Sequence, residues 1–211
     1  MSDKRNITQE TEHLQNHWSR TKEYSSAGYE SSPYVAGREL LAQKIVDTKP
    51  KSILEIGVFG GANLDIIHKL DSSIELTGFD INEKALVYAK EKIPNLNTIN
   101  GSIYNLSEYF TENSFDVVLT AGVLIHIPCW DISESKIDRK YIDDITKNIF
   151  KIASNFVFHA EHHDNDFSKL EGKGMRYIHN FNELYSDVKN VEIEDAPNRS
   201  NGFEQIIKVT L

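Results

Sequence analysis

The chain has 211 residues, a formal net charge of −9 at pH 7 and one cysteine, Cys129. That length suits a single α/β domain with additions, and the acidic balance excludes nucleic acid as the default partner because phosphate contacts need a basic footprint. A lone cysteine excludes an intramolecular disulfide and points to a cytoplasmic setting, and no signal peptide or bilayer-spanning segment is expected: residues 117–130, the longest largely apolar stretch, are interrupted by Gly122, His126 and Pro128.

Residues 1–32 are polar with spaced aromatics Trp18, Tyr24 and Tyr29, and a helix is predicted over 11–20. The segment reads as an N-terminal arm, or a lid over a ligand, ahead of one domain over 33–211. Residues 34–47 read as a helix with Val35, Leu40, Leu41, Ile45 and Val46 as its buried stripe, stopped by Lys49-Pro50. Strands are predicted over 52–57, 74–80, 97–100, 115–121 and 155–160. Helices over 63–70, 83–92, 106–110 and 140–153 alternate with them. Such alternation implies an α/β fold with a doubly wound, mostly parallel sheet. The tail differs: residues 191–194 and 203–209 alternate in hydrophobicity around the turn-rich link 197–202, the pattern of an antiparallel hairpin at a sheet edge.

The most telling segment runs Ile53-Leu54-Glu55-Ile56-Gly57-Val58-Phe59-Gly60-Gly61-Ala62-Asn63-Leu64. A buried strand enters a glycine-bearing turn that opens a helix, so a ligand can approach the backbone and the positive end of that helix. Ligands of open α/β sheets bind at the carboxyl ends of the strands. The expected rim therefore comprises Glu55 to Asn63, Asp80 to Asn82, Gly101 to Ile103, Thr120 to His126 and His159 to Asp164. Asp80 ends the next strand, where a carboxylate can accept from two ribose hydroxyls; Asn82 is the alternative cap of the following helix. Glu55 can hold the glycine turn or meet a ligand amine. Phe59 fills the second glycine position of the dinucleotide fingerprint, which disfavours a pyrophosphate and suits a smaller adenosine compound.

Together these residues resemble the class I S-adenosylmethionine-dependent methyltransferases. The resemblance implies a Rossmann-like seven-stranded sheet of order 3-2-1-4-5-7-6 with an antiparallel C-terminal edge strand. It also implies S-adenosyl-L-methionine as cofactor, S-adenosyl-L-homocysteine as product and a small-molecule acceptor. Carried over, it assigns Glu55, Gly57 and Gly61 to the methionine moiety, Asp80 to the ribose, Ile81 to the adenine face, Ser102 and Ile103 to the adenine edge, and Ala121 and Gly122 to the sulfonium; Asn63 joins the cofactor set. Gly101-Ser102-Ile103, Ser114-Phe115-Asp116 and the run from Leu119 to Ile127 are similar to methylases associated with pseudaminic acid biosynthesis. In those, the strand after the long helix ends in Ala-Glu-Tyr-Tyr-Asn-Pro; here Ala160-Glu161-His162-His163-Asp164-Asn165 stands in its place.

Methyl transfer asks the protein to position a nucleophile and take its proton, work suited to histidine near neutral pH. His126, His162 and His163 are the candidate bases, with Glu161 as orienter. Trp18, Tyr24, Tyr29 and Arg176 are candidates for the lid and acceptor side, Arg176 for an acidic substrate such as a carboxylated sugar. Two other readings compete. One is a metal-assisted enzyme using His159, Glu161, His162, His163, Asp164 and Asp166, with His179 from a later loop; the other is a non-catalytic protein that binds an adenosine ligand.

Overall fold

The computed structural model describes residues 7–18, 33–131, 136–169, 176–197 and 205–211. Its main sheet has seven strands: β1 (Ser52–Ile56), β2 (Glu75–Asp80), β3 (Asn97–Asn100), β4 (Phe115–Ala121), β5 (Ala153–Glu161), β6 (Asn190–Asp195) and β7 (Gln205–Thr210). Their order across the sheet is 3-2-1-4-5-7-6. The first five run parallel to one another, and β7 lies antiparallel between β5 and β6. The architecture is the Rossmann-like doubly wound sheet with an antiparallel edge.

Helices α1 (Ile7–Trp18), α2 (Pro33–Asp47), α3 (Ala62–Leu70), α4 (Glu83–Lys92), α5 (Leu106–Tyr109), α6 (Lys140–Ile152) and α7 (Phe181–Leu184) complete the described chain. Two cores sandwich the sheet. Ile53, Val117, Leu119 and Phe158 point to the face covered by α2, α3 and α4, with Leu41, Ile45, Leu64, Ile67, Leu86 and Ala89 opposite them. Leu54, Ile56, Val118 and Val157 point to the other face, against α6. Helix α6 supplies Ile142, Ile145, Ile149 and Ile152, each at most 3% exposed. Their spacing puts all four on one side of the helix, and each burial contributes about 2 kcal/mol.

The strand and helix boundaries depart from the sequence pattern at a few ends. Strand β5 starts at Ala153 and runs through Glu161, longer than the predicted 155–160, because it is flanked by β4 and β7 along its length. Helix α1 spans Ile7–Trp18 where 11–20 was expected; residues 19 and 20 lie outside the described residues. So do Tyr24, Tyr29, Phe203 and most of the 197–202 link. Two short antiparallel pairs, Trp130–Asp131 with Lys136–Ile137 and Ser168–Lys169 with Tyr177–Ile178, were not anticipated, since two residues show no period. Among the described residues no helix is long and apolar enough to cross a membrane.

Asn82 settles the competition for the cap of α4. Its Oδ1 accepts from Ala85 N at 3.3 Å, while its Nδ2 donates to Trp18 O at 3.0 Å. One side chain thus starts a helix and ties down the end of another. Replacing it, Asn82→Ala, is expected to cost about 1 kcal/mol through the lost cap, read as a lower urea midpoint with an unchanged slope.

Candidate active site

The turn after β1 is pinned by the neighbouring strand: Gly57 N and Val58 N both donate to Phe79 O, at 2.7 and 3.2 Å. Gly57 has φ +75°, and a Cβ there would lie 2.3 Å from Val123 Cγ2. Only glycine meets both demands. Gly61 has φ +77° and presses on α4, where a Cβ would sit 2.9 Å from Ile93 Cδ1. Between them Phe59 also takes the left-handed region, at φ +46°. That costs a side-chain-bearing residue about 1 kcal/mol. Its N–H donates to Asp80 Oδ2 at 2.8 Å, which holds the strained residue in place.

The carboxyl ends of the first four strands converge on one cleft. Ile56, Gly57 and Phe59 line it from β1, Phe79, Asp80 and Ile81 from β2, Gly101 and Ile103 from β3, and Ala121, Gly122, Val123, His126 and Ile127 from β4. Leu14 and Trp18 of α1 form the remaining wall. The cleft encloses about 740 Å³ of empty space, its open mouth included. Helix α1 is also tied to the rim by Thr11 Oγ1, 3.1 Å from Ser102 Oγ.

One carboxylate, Asp80, lines this cleft, and a second, Glu55, lies buried outside its lining. Asp80 accepts from Phe59 N on Oδ2 and from Asn82 N on Oδ1, each at 2.8 Å. Burial raises its pKa, and these backbone donors pull the other way. Each oxygen keeps further lone-pair capacity for a ligand hydroxyl. Glu55 is 1% exposed, on the sheet face that meets α2 and α3. Asn63 Nδ2 donates to its Oε1 at 2.5 Å, and Arg38 Nη1 in turn donates to Asn63 Oδ1. The first turn of α3 adds a backbone hydrogen bond from Leu64. Oε2 is buried with no partner. Burial pushes the Glu55 carboxyl up to about 7, against the pull of Asn63 and Arg38.

The histidine-rich end of β5 does not reach the cleft, apart from its effect on the turn after β4. Glu161 is fully buried. Its Oε1 accepts from Val123 N and Leu124 N at 2.9 and 3.0 Å, and its Oε2 from Ile125 N at 3.4 Å. His126 closes that 3₁₀ turn (Leu124–His126) and faces the cleft, its ring 5.1 Å from Trp18. His162 and His163 are half-buried outside the cleft lining. The His163 ring instead accepts from Phe181 N at 3.2 Å. Arg176 is exposed and does not line the cleft.

Two members of the candidate metal cluster, His159 and Glu161, are taken up by internal bonds. His159 Nδ1 lies 2.8 Å from Thr120 Oγ1 and Nε2 2.7 Å from Tyr185 Oη, so both ring nitrogens are used. His179 Nε2 donates to Leu124 O at 2.7 Å. Burial holds both rings neutral, at about 3 for His159 and about 4 for His179. Among the described residues no group of three or more His, Cys, Asp or Glu side chains is arranged to hold a metal. Sequence reasoning missed Arg38, Leu14 and Tyr185. Arg38 sits outside the apolar stripe of its helix, so it carries no local signal; Thr120 was expected on the rim, but not its bonds to His159 and Glu161.

Comparison with known proteins agrees with this geometry. Residues 53–137 match the family described as a methyltransferase domain. The chain superposes on magnesium protoporphyrin IX methyltransferase from Synechocystis PCC 6803 with bound SAM, with a TM-score of 0.65 and 11% identity over 95% of this chain and 96% of that one. Human N-acetylserotonin methyltransferase in complex with SAM gives 0.58 and 14% over 96% of this chain and 55% of that one. A candidate O-methyltransferase from Nostoc punctiforme PCC 73102 gives 0.62 and 16% over 82% and 55%. The chain thus spans about half the length of the human and Nostoc proteins. At these identities the likeness is one of fold: that of the S-adenosylmethionine-dependent methyltransferases. No curated protein matches the chain in sequence.

The buried Glu55 carboxyl binds a proton in the folded protein up to about pH 7, against 4.5 for the free group. The folded state therefore holds more protons than the unfolded one between these values, and wild-type stability falls relative to a neutral side chain as pH rises through that window. Glu55→Gln is expected to match wild type near pH 4.5 and to gain on it up to pH 7, by at most about 3 kcal/mol at 1.4 kcal/mol per unit. Above pH 7 the difference is constant. Urea unfolding of both proteins at pH 5, 6, 7 and 8 measures it.

Proposed function

We propose that the chain transfers the methyl group of S-adenosylmethionine to an oxygen or nitrogen of a small molecule, a sugar or natural-product intermediate, with His126 as general base. The observation that carries this reading is the pairing of two carboxylates at the ends of adjacent strands. Asp80 has lone pairs to spare beside the cleft, and Glu55 has a buried oxygen without a partner. A ribose diol suits the first and an ammonium the second.

The residues present fit the group. Ile81 and Ile103 offer apolar contact for an adenine, with Ser102 at its edge, and Ala121 and Gly122 leave space beside a sulfonium. Phe59, in place of a small residue, argues against a pyrophosphate. When bound, S-adenosylmethionine supplies a methyl already activated by positive sulfur, and the C–S electron pair leaves with S-adenosylhomocysteine. The chain's own work is to hold the acceptor atom in line and to take its proton on the His126 ring, which faces the cleft. Trp18 and Leu14 exclude water from that side. The net charge of −9 supports a small acceptor over nucleic acid, and the one cysteine a cytoplasmic setting.

Isothermal titration with S-adenosylhomocysteine tests the donor site. Wild type is expected to bind, and Asp80→Ala to bind about tenfold or more weakly; unchanged affinity in that variant, or none in wild type, refutes the assignment. His126→Ala is expected to keep donor affinity while turnover on a panel of hydroxylated and carboxylated sugars falls by about 10²-fold or more. Retained binding with no wild-type turnover on any acceptor favours the non-catalytic reading.

A further inference from the structure

Four buried side chains beside the cleft form one continuous line of hydrogen bonds. Tyr185 Oη lies 2.7 Å from His159 Nε2, His159 Nδ1 lies 2.8 Å from Thr120 Oγ1, and Thr120 Oγ1 donates to Glu161 Oε1 at 3.1 Å. None of the four is more than 4% exposed. They come from β4, β5 and the segment just after α7, all on the sheet face opposite Glu55.

The direction of every bond follows from chemistry. An ionised Glu161 only accepts, so the single Thr120 hydroxyl proton points to it. Thr120 Oγ1 is then free to accept, and His159 donates from Nδ1–H. The neutral ring consequently has a bare Nε2, which accepts from the Tyr185 hydroxyl. One tautomer of His159 satisfies the whole line.

The line ends on backbone. Beyond Thr120, Glu161 receives the N–H groups of Val123, Leu124 and Ile125. From the other side, His179 Nε2–H donates to Leu124 O. The 3₁₀ turn is gripped by its donors and by one of its acceptors, and its last residue is His126.

We propose that Glu161 is a positioning residue for methyl transfer: with Tyr185, His159 and Thr120 it locks the turn after β4 and so sets the place of the His126 ring in the cleft. Glu161 does not itself line the cleft. The role rests on the proposed methyl-transfer reading for its purpose, though the coupling of Glu161 to His126 stands on geometry alone. The line also gives a function to a strand end that, by its composition, reads as a metal site.

The test uses the full chain with its histidine rings isotopically labelled, the His126 resonance being identified by its loss in His126→Gln. Thr120→Val removes the hydroxyl at constant shape, Tyr185→Phe removes the far donor, and Glu161→Gln sets an amide donor against the turn's N–H groups. In each folded variant the His126 ring signal and its pH titration are expected to move from wild type, with S-adenosylhomocysteine affinity held within about threefold. Thr120→Ser, which restores the hydroxyl, is expected to return both to wild type. With a turned-over acceptor, Thr120→Val lowers kcat by about tenfold at unchanged KM. An unaltered His126 signal and titration in Thr120→Val and Tyr185→Phe overturns the proposal, whether or not Glu161→Gln folds. Absence of S-adenosylhomocysteine binding by wild type overturns the methyl-transfer reading instead, and leaves the His126 signal to judge the coupling.

Discussion

Asp80 spends both carboxylate oxygens on backbone N–H groups, one from Phe59 in the turn after β1 and one from Asn82 at the start of α4. The cleft depends on that pair of bonds. They join the loops at the ends of two neighbouring strands, and they hold Phe59 in a backbone region it would otherwise leave. The same side chain keeps lone pairs for a ligand. A buried carboxylate that is half satisfied by the protein is a preorganised acceptor, because its orientation is settled before a ligand arrives.

Glu55 and Glu161 repeat the device on opposite faces of the sheet, with different results. Glu55 points to α2 and α3, where Asn63 and the first turn of α3 satisfy one oxygen and leave the other bare. Glu161 points to the other face, and Thr120 and three backbone donors leave it little to offer. Both carboxyls are pushed up to about 7 by burial. The unsatisfied one is suited to a ligand cation, and the satisfied one to holding a turn. Number of partners, more than burial or pKa, separates the two carboxyls here.

Helix α1 joins the rim through contacts spread along its length. Thr11 meets Ser102, Leu14 and Trp18 line the cleft, and the Trp18 carbonyl accepts from Asn82. Trp18 lies between Phe59 and His126, its ring 6.1 and 5.1 Å from theirs. The N-terminal helix is thus packed against both the strained glycine turn and the turn that Glu161 braces. Any movement of α1 is felt at both.

Much of this was legible in the chain's pattern. The isoleucines of α6 at helical spacing, the alternation of strand and helix, the glycine turn and Asp80 are local features, and local sterics and periodicity decide them. So the alternating, mostly parallel sheet and the cleft's first wall were within reach of that pattern, while the strand order followed from the resemblance to the class I methyltransferases and not from periodicity. What it left open was which member of a promising cluster faces a ligand. His126, His159, Glu161, His162 and His163 are all plausible bases or metal ligands by residue type. Only the packed sheet separates them, turning His126 into the cleft and closing His159 and Glu161 into a hydrogen-bonded line with Thr120 and Tyr185. Partners as far apart as Glu161 and Val123, or His159 and Tyr185, leave no periodic trace, because their meeting is set by strand register and by the face each residue takes. The sequence determined the scaffold and its glycine turn; the tertiary structure decided which carboxylates and histidines line the cleft and which are closed into the sheet, since that depends on strand register and on what else is buried with them.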